Sequence, residues 1–291
     1  MRRQTILVTG SSGQLGSALV QRLSRDHNLV LLDVKEPGSG TARCGRVVVG
    51  SFTEPATVAE AMEGVDTVIH AGGIPGNATP HERLIQVNVM GTFTLLEEAG
   101  ARAEVEHFIY VSSICWHGIH SGQPGGHAPQ FLPVTEDHPA LWGDYYSSSK
   151  VQAEYWCRKY VHHFGKPVVA VRPSYIVPLH REASVETRPP RDIPCLYDYV
   201  GTSDLIEGIL RAMDYAPAEG FDRFLFNAAD QWSACPTLEL VDMQFPGIPV
   251  DRDKLAREGG YAALVDCSHA REALGWEPAL RCRRGNGSPC A

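Results

Sequence analysis

From residue 5 to 172 the chain alternates short, almost continuously apolar runs with stretches of helical period, and this alternation constrains its fold more than any other feature. The runs are Thr5 to Thr9, Leu29 to Leu32, Val47 to Val49, Thr67 to Ala71, His107 to Val111 and Val168 to Arg172. Runs apolar at every position, rather than at alternate ones, suit strands covered on both faces. Between them Leu15, Leu19 and Leu23 recur four apart, 56–62 is a short helical stretch, and 84–101 and 146–164 are long ones. Strands separated by helices pair in parallel through right-handed crossovers, so the pattern predicts an α/β fold with a doubly wound parallel sheet.

After Pro173 the pattern changes. Residues 176–200 read as a Pro/Arg-rich connection, 202–215 as a helix, 223–227 as a strand and 237–245 as a helix. The expected organisation is a main domain over 1–173, a smaller lobe over 174–280 with elements returning to the sheet, and a flexible tail over 281–291. Apolar residues are 43% and charged residues 21%, which excludes a disordered chain or a coiled coil, and no apolar run reaches the roughly 18 residues that span a bilayer. A net charge of −8 supplies no basic field for nucleic acid or anionic membrane, so small molecules are the expected partners. The eight cysteines show no C-x-x-C and read as reduced thiols of a cytoplasmic protein. The twelve histidines, His162-His163 and the His117, His120, His127 group included, lack the spacing of a metal site, and none is expected.

The first strand runs into Thr9-Gly10-Ser11-Ser12-Gly13-Gln14-Leu15-Gly16, which opens a helix. Glycines there let the backbone approach a pyrophosphate while helix N–H groups face the anion, the Rossmann-type arrangement. Asp33, 17 residues beyond Gly16, ends the second strand, where a carboxylate accepts hydrogen bonds from ribose hydroxyls and repels a 2′-phosphate. NAD is therefore expected over NADP, which nearby Lys35 keeps open. Two Y-x-x-x-K spacings occur, Tyr146 to Lys150 and Tyr155 to Lys159. At about 100° per residue the two tyrosines face opposite ways on one helix. Tyr146 lies nearer the sheet's carboxyl edge, and its face continues through Lys150, Ala153, Cys157 and Phe164, the more apolar side. A lysine one turn along brings an ammonium near the phenol and makes tyrosine a usable acid/base near neutrality. The glycine turn, Asp33, Ala71 to Gly73, Ser113 and Pro173 each follow a different strand's carboxyl end, the edge at which such folds bind ligands.

With these pieces stand Asp66-Thr67-Val68-Ile69-His70-Ala71, Asn88-Val89-x-Gly91-Thr92, Tyr110-Val111-Ser112-Ser113, Tyr146-x-x-x-Lys150-x-x-x-Glu154, Val171-Arg172-Pro173 and Leu274-Gly275-Trp276-x-Pro278. Together they resemble the extended short-chain dehydrogenase/reductases, the NAD-dependent epimerase/dehydratase group, over nearly the whole chain. The resemblance implies a catalytic set of Ser113, Tyr146 and Lys150, with Lys150 also on the nicotinamide ribose and Pro173-Ser174 beside the nicotinamide. It implies cofactor contacts at Gly10, Ser12, Gly13, Gln14, Leu15, Gly16, Asp33, Ser51, Phe52, Ala71, Gly72, Gly73 and Asn88, and substrate contacts at Ile74, Ser113 and Ile114. It also implies a homodimer formed by the 84–101 and 146–164 helices.

Three departures qualify it. Ser51-Phe52 stands where the family usually has an acidic residue on adenine. The Asn and Gly-Pro that follow Arg-Pro in nucleotide-sugar relatives are replaced by Ser174-Tyr175-Ile176-Val177-Pro178. The connection from Pro178 to Thr202 is much shorter than the segment with which those relatives grip a nucleoside diphosphate. In that respect the chain is more similar to uronate dehydrogenases, which act on free sugar acids. Trp116, His117 and His120 in the 116–144 loop, with Arg181, Arg188 and Arg191, are further candidate substrate contacts. The expected function is NAD-dependent hydride transfer at a carbinol/ketone carbon of a small sugar, sugar acid or similar hydroxy compound. The alternatives are a nucleotide-sugar epimerase or dehydratase that recycles NAD and a non-catalytic NAD(P)-sensing protein.

Overall fold

The computed structural model describes residues 3–76, 78–119, 127–141, 143–187 and 196–283. In chain order they form β1 (Thr5–Thr9), α1 (Gln14–Leu23), β2 (Asn28–Asp33), α2 (Ser39–Ala42), β3 (Arg46–Val49), α3 (Pro55–Ala61), β4 (Thr67–His70) and α4 (His81–Ile85). A π-helical segment, Gln86–Gly91, leads into α5 (Thr92–Ala101), β5 (His107–Val111), a 3-10 turn (Ile114–His117), α6 (Tyr145–Phe164) and β6 (Val168–Pro173). Then follow β7 (Ile176–Val177), α7 (Leu179–Glu182), β8 (Val200–Gly201), α8 (Thr202–Met213), β9 (Phe221–Phe226), α9 (Thr237–Gln244), α10 (Arg252–Arg257) and α11 (Ser268–Leu274).

Seven strands pair in the order β3-β2-β1-β4-β5-β6-β9. The pairing of β1 with β2 and β4, and of β4 with β5, is parallel. The order reverses between β1 and β4, so the switch point of the sheet, where such folds bind ligands, lies at Gly10 and Ala71. The expected doubly wound fold is thus the observed one.

By contacts the chain divides into two compact units, neither of them continuous in sequence. The first comprises Met1–Ser112, Tyr145–Val171 and Ala212–Arg223, and the second Ser113–Asp144, Arg172–Arg211 and Phe224–Ala291. In the first, one face of the sheet places Leu7, Val68, Phe108, Tyr110, Val168 and Ala170 against Val58 of α3, Leu95 and Ala99 of α5, and Ala153 and Cys157 of α6. On the other face Ile6, Val8, Ile69 and Ile109 are equally inaccessible, which is why these strands are apolar at every position. In the second, β7 pairs with β8, and Val177, Val185, Tyr199, Ala228, Trp232 and Cys282 form the core.

Four sequence expectations need correction. The 84–101 helix begins at His81 and widens into the π segment before α5. The 176–200 connection contains β7, α7 and the start of β8. The expected tail is packed at its start: Cys282 is buried and the Arg283 N–H bonds the Val185 carbonyl. Cysteines 44, 115, 157, 267 and 282 are free thiols, but Cys235 is disulfide-bonded, so the thiols are not uniformly reduced. His120, Arg188, Arg191 and the last eight residues lie outside the described residues. No helix among the described residues is long and apolar enough to cross a membrane.

Candidate active site

The turn after β1 is packed so closely that two of its glycines tolerate no side chain. A Cβ on Gly10, whose φ is +67°, would stand 2.7 Å from Gly72 Cα, and one on Gly16 would stand 2.0 Å from the Gly10 carbonyl oxygen. Gly13 is different: it is exposed, and a Cβ there would press only on the Gly10 oxygen, at 3.1 Å. It caps α1 without a side chain of its own, so the helix N-terminus follows a bare backbone turn. Asp33 at the end of β2 accepts the Ser12 N–H on Oδ2 and the Lys35 N–H on Oδ1, each at 3.0 Å. Each oxygen keeps a lone pair for a further donor. An exposed glycine at a helix N-terminus and a carboxylate at the adjacent strand end fit a dinucleotide's pyrophosphate and ribose.

Other expected cofactor positions differ in character. Gln14 is exposed and Leu15 buried in α1. Ser51 Oγ is bonded to Thr53, while the Phe52 ring is wedged between Gly72 and Gly91, which have no room for a Cβ beside it. Gly73 lies on the surface beside the Asn88 amide. Asn88, inside the π segment, clamps Ile74 by accepting its N–H (2.7 Å) and donating to its carbonyl (2.9 Å), and it also donates to Ser149 Oγ at 3.2 Å. A π turn re-aims one side chain of an otherwise α-helical run, a frequent device at functional sites.

On α6 the face through Tyr146, Lys150, Ala153 and Cys157 turns inward, whereas Tyr155 is 57% exposed. Lys150 is buried; its Nζ donates to the Val111 carbonyl at 2.9 Å and lies 5.0 Å from the Tyr110 ring centre and 5.8 Å from that of half-buried Tyr146. The ammonium is thus held at the end of β5 near two aromatic rings, one of them that of the candidate acid/base. Burial pushes the Tyr110 hydroxyl well above the usual phenol range, so Tyr110 stays neutral. Ser112 donates to the buried Glu154 carboxylate at 2.6 Å, pinning the next turn of α6 to the same strand. Tyr110, Ser112 and Glu154 stand in the sequence motifs, but spacing alone gave them no role.

The second unit holds the remaining expected residues. Ser113 is buried and caps the 3-10 turn, its Oγ accepting the Cys115 N–H at 3.1 Å; Ile114 is buried behind it. The buried Arg172 guanidinium lies 3.7 Å over the Trp116 ring, whose Nε1 is buried without a hydrogen-bond partner. His117, expected as a substrate contact, is instead fully buried, with Nδ1 2.9 Å from the His138 carbonyl and Nε2 3.5 Å from Arg172 Nη1. Burial, reinforced by the Arg172 charge, holds its pKa well below the usual range. Pro173 ends β6; Ser174 Oγ, next along, is buried and has no hydrogen-bond partner. Arg181 is exposed on α7.

The NAD dependent epimerase/dehydratase family model matches residues 6–222. A UDP-glucose 4-epimerase of Corynebacterium glutamicum is 23% identical over 94% of this chain and 90% of its own length. A uronate dehydrogenase of Agrobacterium fabrum is 29% identical over 57% of this chain and 59% of its own. Among solved structures, a short-chain dehydrogenase/reductase superfamily protein from Agrobacterium tumefaciens with bound NAD superposes with a TM-score of 0.71 at 25% identity, covering 95% of this chain and 93% of that one.

Proposed function

The chain belongs to the NAD-dependent epimerase/dehydratase family, and we propose that it is an NAD-dependent oxidoreductase acting on the carbinol or ketone carbon of a small sugar or sugar acid. The observation that carries this reading is the buried Lys150 ammonium, anchored on the Val111 carbonyl beside the Tyr146 ring. An ammonium there lowers the cost of negative charge on the phenol oxygen, which a proton-transferring tyrosine needs. When bound, the dinucleotide supplies or accepts the hydride. The glycine turn binds its pyrophosphate, and Asp33 accepts the adenosine ribose hydroxyls. Tyr146 moves the proton of the substrate oxygen, Ser113 orients that oxygen, and Lys150 holds the nicotinamide ribose. Ser174 Oγ, buried without a partner, suits a hydrogen bond to the carboxamide.

The substrate class rests on the short stretch between Pro178 and Thr202. At no more than about 3.5 Å per residue it has little length to embrace a nucleoside diphosphate as well as return the chain. Exposed Arg181 suits one compact carboxylate. The likeness to a uronate dehydrogenase favours the same class. We also propose a cytoplasmic homodimer, the compartment resting on five free thiols against one bonded cysteine among the described residues.

The test is to incubate the protein with NAD and, separately, free sugar acids, neutral sugars and nucleotide sugars while following absorbance at 340 nm. A free sugar acid is expected to give accumulating NADH. Turnover of a nucleotide sugar without NADH would establish the recycling epimerase or dehydratase instead, the reading favoured by the likeness to a UDP-glucose 4-epimerase.

A further inference from the structure

A buried chain of hydrogen bonds joins the first glycine turn to the segment that precedes α5, and its direction can be worked out donor by donor. Thr92 Oγ1 donates its single proton to the Asn88 carbonyl at 2.7 Å. Toward His70 Nε2, 2.9 Å away, Thr92 can therefore only accept. Nε2 thus carries the imidazole proton. Nδ1, 2.6 Å from Thr9 Oγ1, accepts from the Thr9 hydroxyl, which itself accepts the Gly72 N–H at 3.1 Å. The neighbours fix the tautomer, and every link runs one way, from Gly72 to the Asn88 carbonyl. Thr9 and Thr92 are fully inaccessible and His70 nearly so; burial holds the imidazole pKa down to about 3, which keeps the ring neutral.

The chain ends inside the π segment, where the Thr92 hydroxyl adds a donor to the Asn88 carbonyl. From Asn88 the linkage continues through the side-chain amide to Ser149 Oγ, which donates to the Tyr146 carbonyl at 2.7 Å.

We propose that His70 is a positioning residue for Tyr146: its imidazole braces the π turn against the glycine turn and so sets Asn88, Ser149 and the backbone at Tyr146. The proposal rests on Tyr146 being the acid/base, as argued above. It needs His70 to touch neither dinucleotide nor substrate.

His70→Leu removes both imidazole bonds, whereas His70→Gln keeps one acceptor and one donor. With NAD and D-galacturonate as a free sugar acid, kcat should fall about tenfold to hundredfold in His70→Leu, the range expected when a reacting group is displaced by up to about 1 Å. KM should stay within about threefold, because no substrate contact is lost. His70→Gln should recover most of kcat, and Thr92→Val, which breaks the same chain one link along, should match His70→Leu. A brace that serves stability alone would lower the melting temperature and leave kcat per folded molecule unchanged, and that result overturns the proposal. So does equal loss in the leucine and glutamine variants.

One readout requires no substrate. In nitrogen-resolved imidazole spectra of the wild type, the resonance lost in His70→Gln should be an Nε2–H form that does not titrate between pH 8 and 5. An Nδ1–H form, or titration in that range, overturns the linkage even if no sugar is turned over. Wild-type protein that fails to bind NADH, by the nucleotide's own fluorescence, defeats the proposed function and leaves the spectra to decide the brace.

Discussion

At the residue scale, two tyrosines on one helix share the same spacing to a lysine and differ in surroundings. Tyr146 is half-buried with the Lys150 ammonium 5.8 Å from its ring, while Tyr155 is 57% exposed. Tyr146→Phe removes a proton donor and little contact area, so turnover should fall by about 10²–10⁴-fold, the usual contribution of a positioned acid/base, with NADH affinity nearly intact. Tyr155→Phe should be close to silent in the same assay. Reversal of the two results would mean that the catalytic face of α6 is the other one. Asp33 supports a second expectation. Its carboxylate, fixed by the Ser12 and Lys35 N–H groups, would face a 2′-phosphate as a like charge, so kcat/KM should favour NAD over NADP. Asp33→Ala should narrow that preference chiefly by weakening NAD. A wild-type preference for NADP would show that Lys35 outweighs the carboxylate.

At the scale of elements, α5 and α6 lie side by side through the edge-to-face contact of Phe93 and Trp156, ring centres 5.0 Å apart. Beyond that contact Met90, in the π segment that leads into α5, and Tyr155 of α6 remain 50% and 57% exposed, two large apolar side chains. A second copy covering this face is expected, so light scattering at micromolar concentration should return a dimer mass, and Met90→Glu with Tyr155→Glu should return a monomer. Elements of this kind were the most legible part of the sequence. Strands β1 to β6 each stand within a residue of an apolar run, because in all but the partly exposed edge strand β3 burial on both faces leaves few polar positions to blur the pattern. The π segment was not legible: Gln86–Gly91 continues the period of its helix, and of the bonds around it the His70–Thr92 and Asn88–Ile74 ones are tertiary, outside what a helical period records. The β7–β8 pair was missed for a related reason, since two-residue strands carry too little periodicity to register. Within the site, glycines and strand-end carboxylates announce themselves by chemical type. The burial of His117 under Arg172 depends on where a loop folds back, which residue type does not encode.

At the scale of the whole molecule, the buried neutral histidines tie stability to pH. His70 has its pKa lowered to about 3, first by burial and then by the Lys150 charge, and His117, His107 and His138 are lowered as well, in each case chiefly by burial. A group whose folded pKa lies below its unfolded value of about 6.5 contributes nothing to the pH dependence above that value. Below it the unfolded chain takes up a proton that the folded chain refuses, so stability falls as pH falls, for His70 over the window from about 6.5 to about 3. Glu136 acts in the opposite sense: burial raises its carboxyl pKa, so protonation on acidification favours the fold. Total stability therefore mixes opposing slopes, and a difference between two proteins isolates one group. His70→Gln cannot titrate. Its stability relative to wild type, from urea unfolding, should improve by about 2 kcal/mol between pH 7.5 and 5, since each pH unit below 6.5 is worth about 1.4 kcal/mol for one fully excluded proton. Parallel pH dependences in the two proteins would mean that His70 accepts a proton without unfolding, and the one-way hydrogen-bond chain through its ring would then not hold in solution.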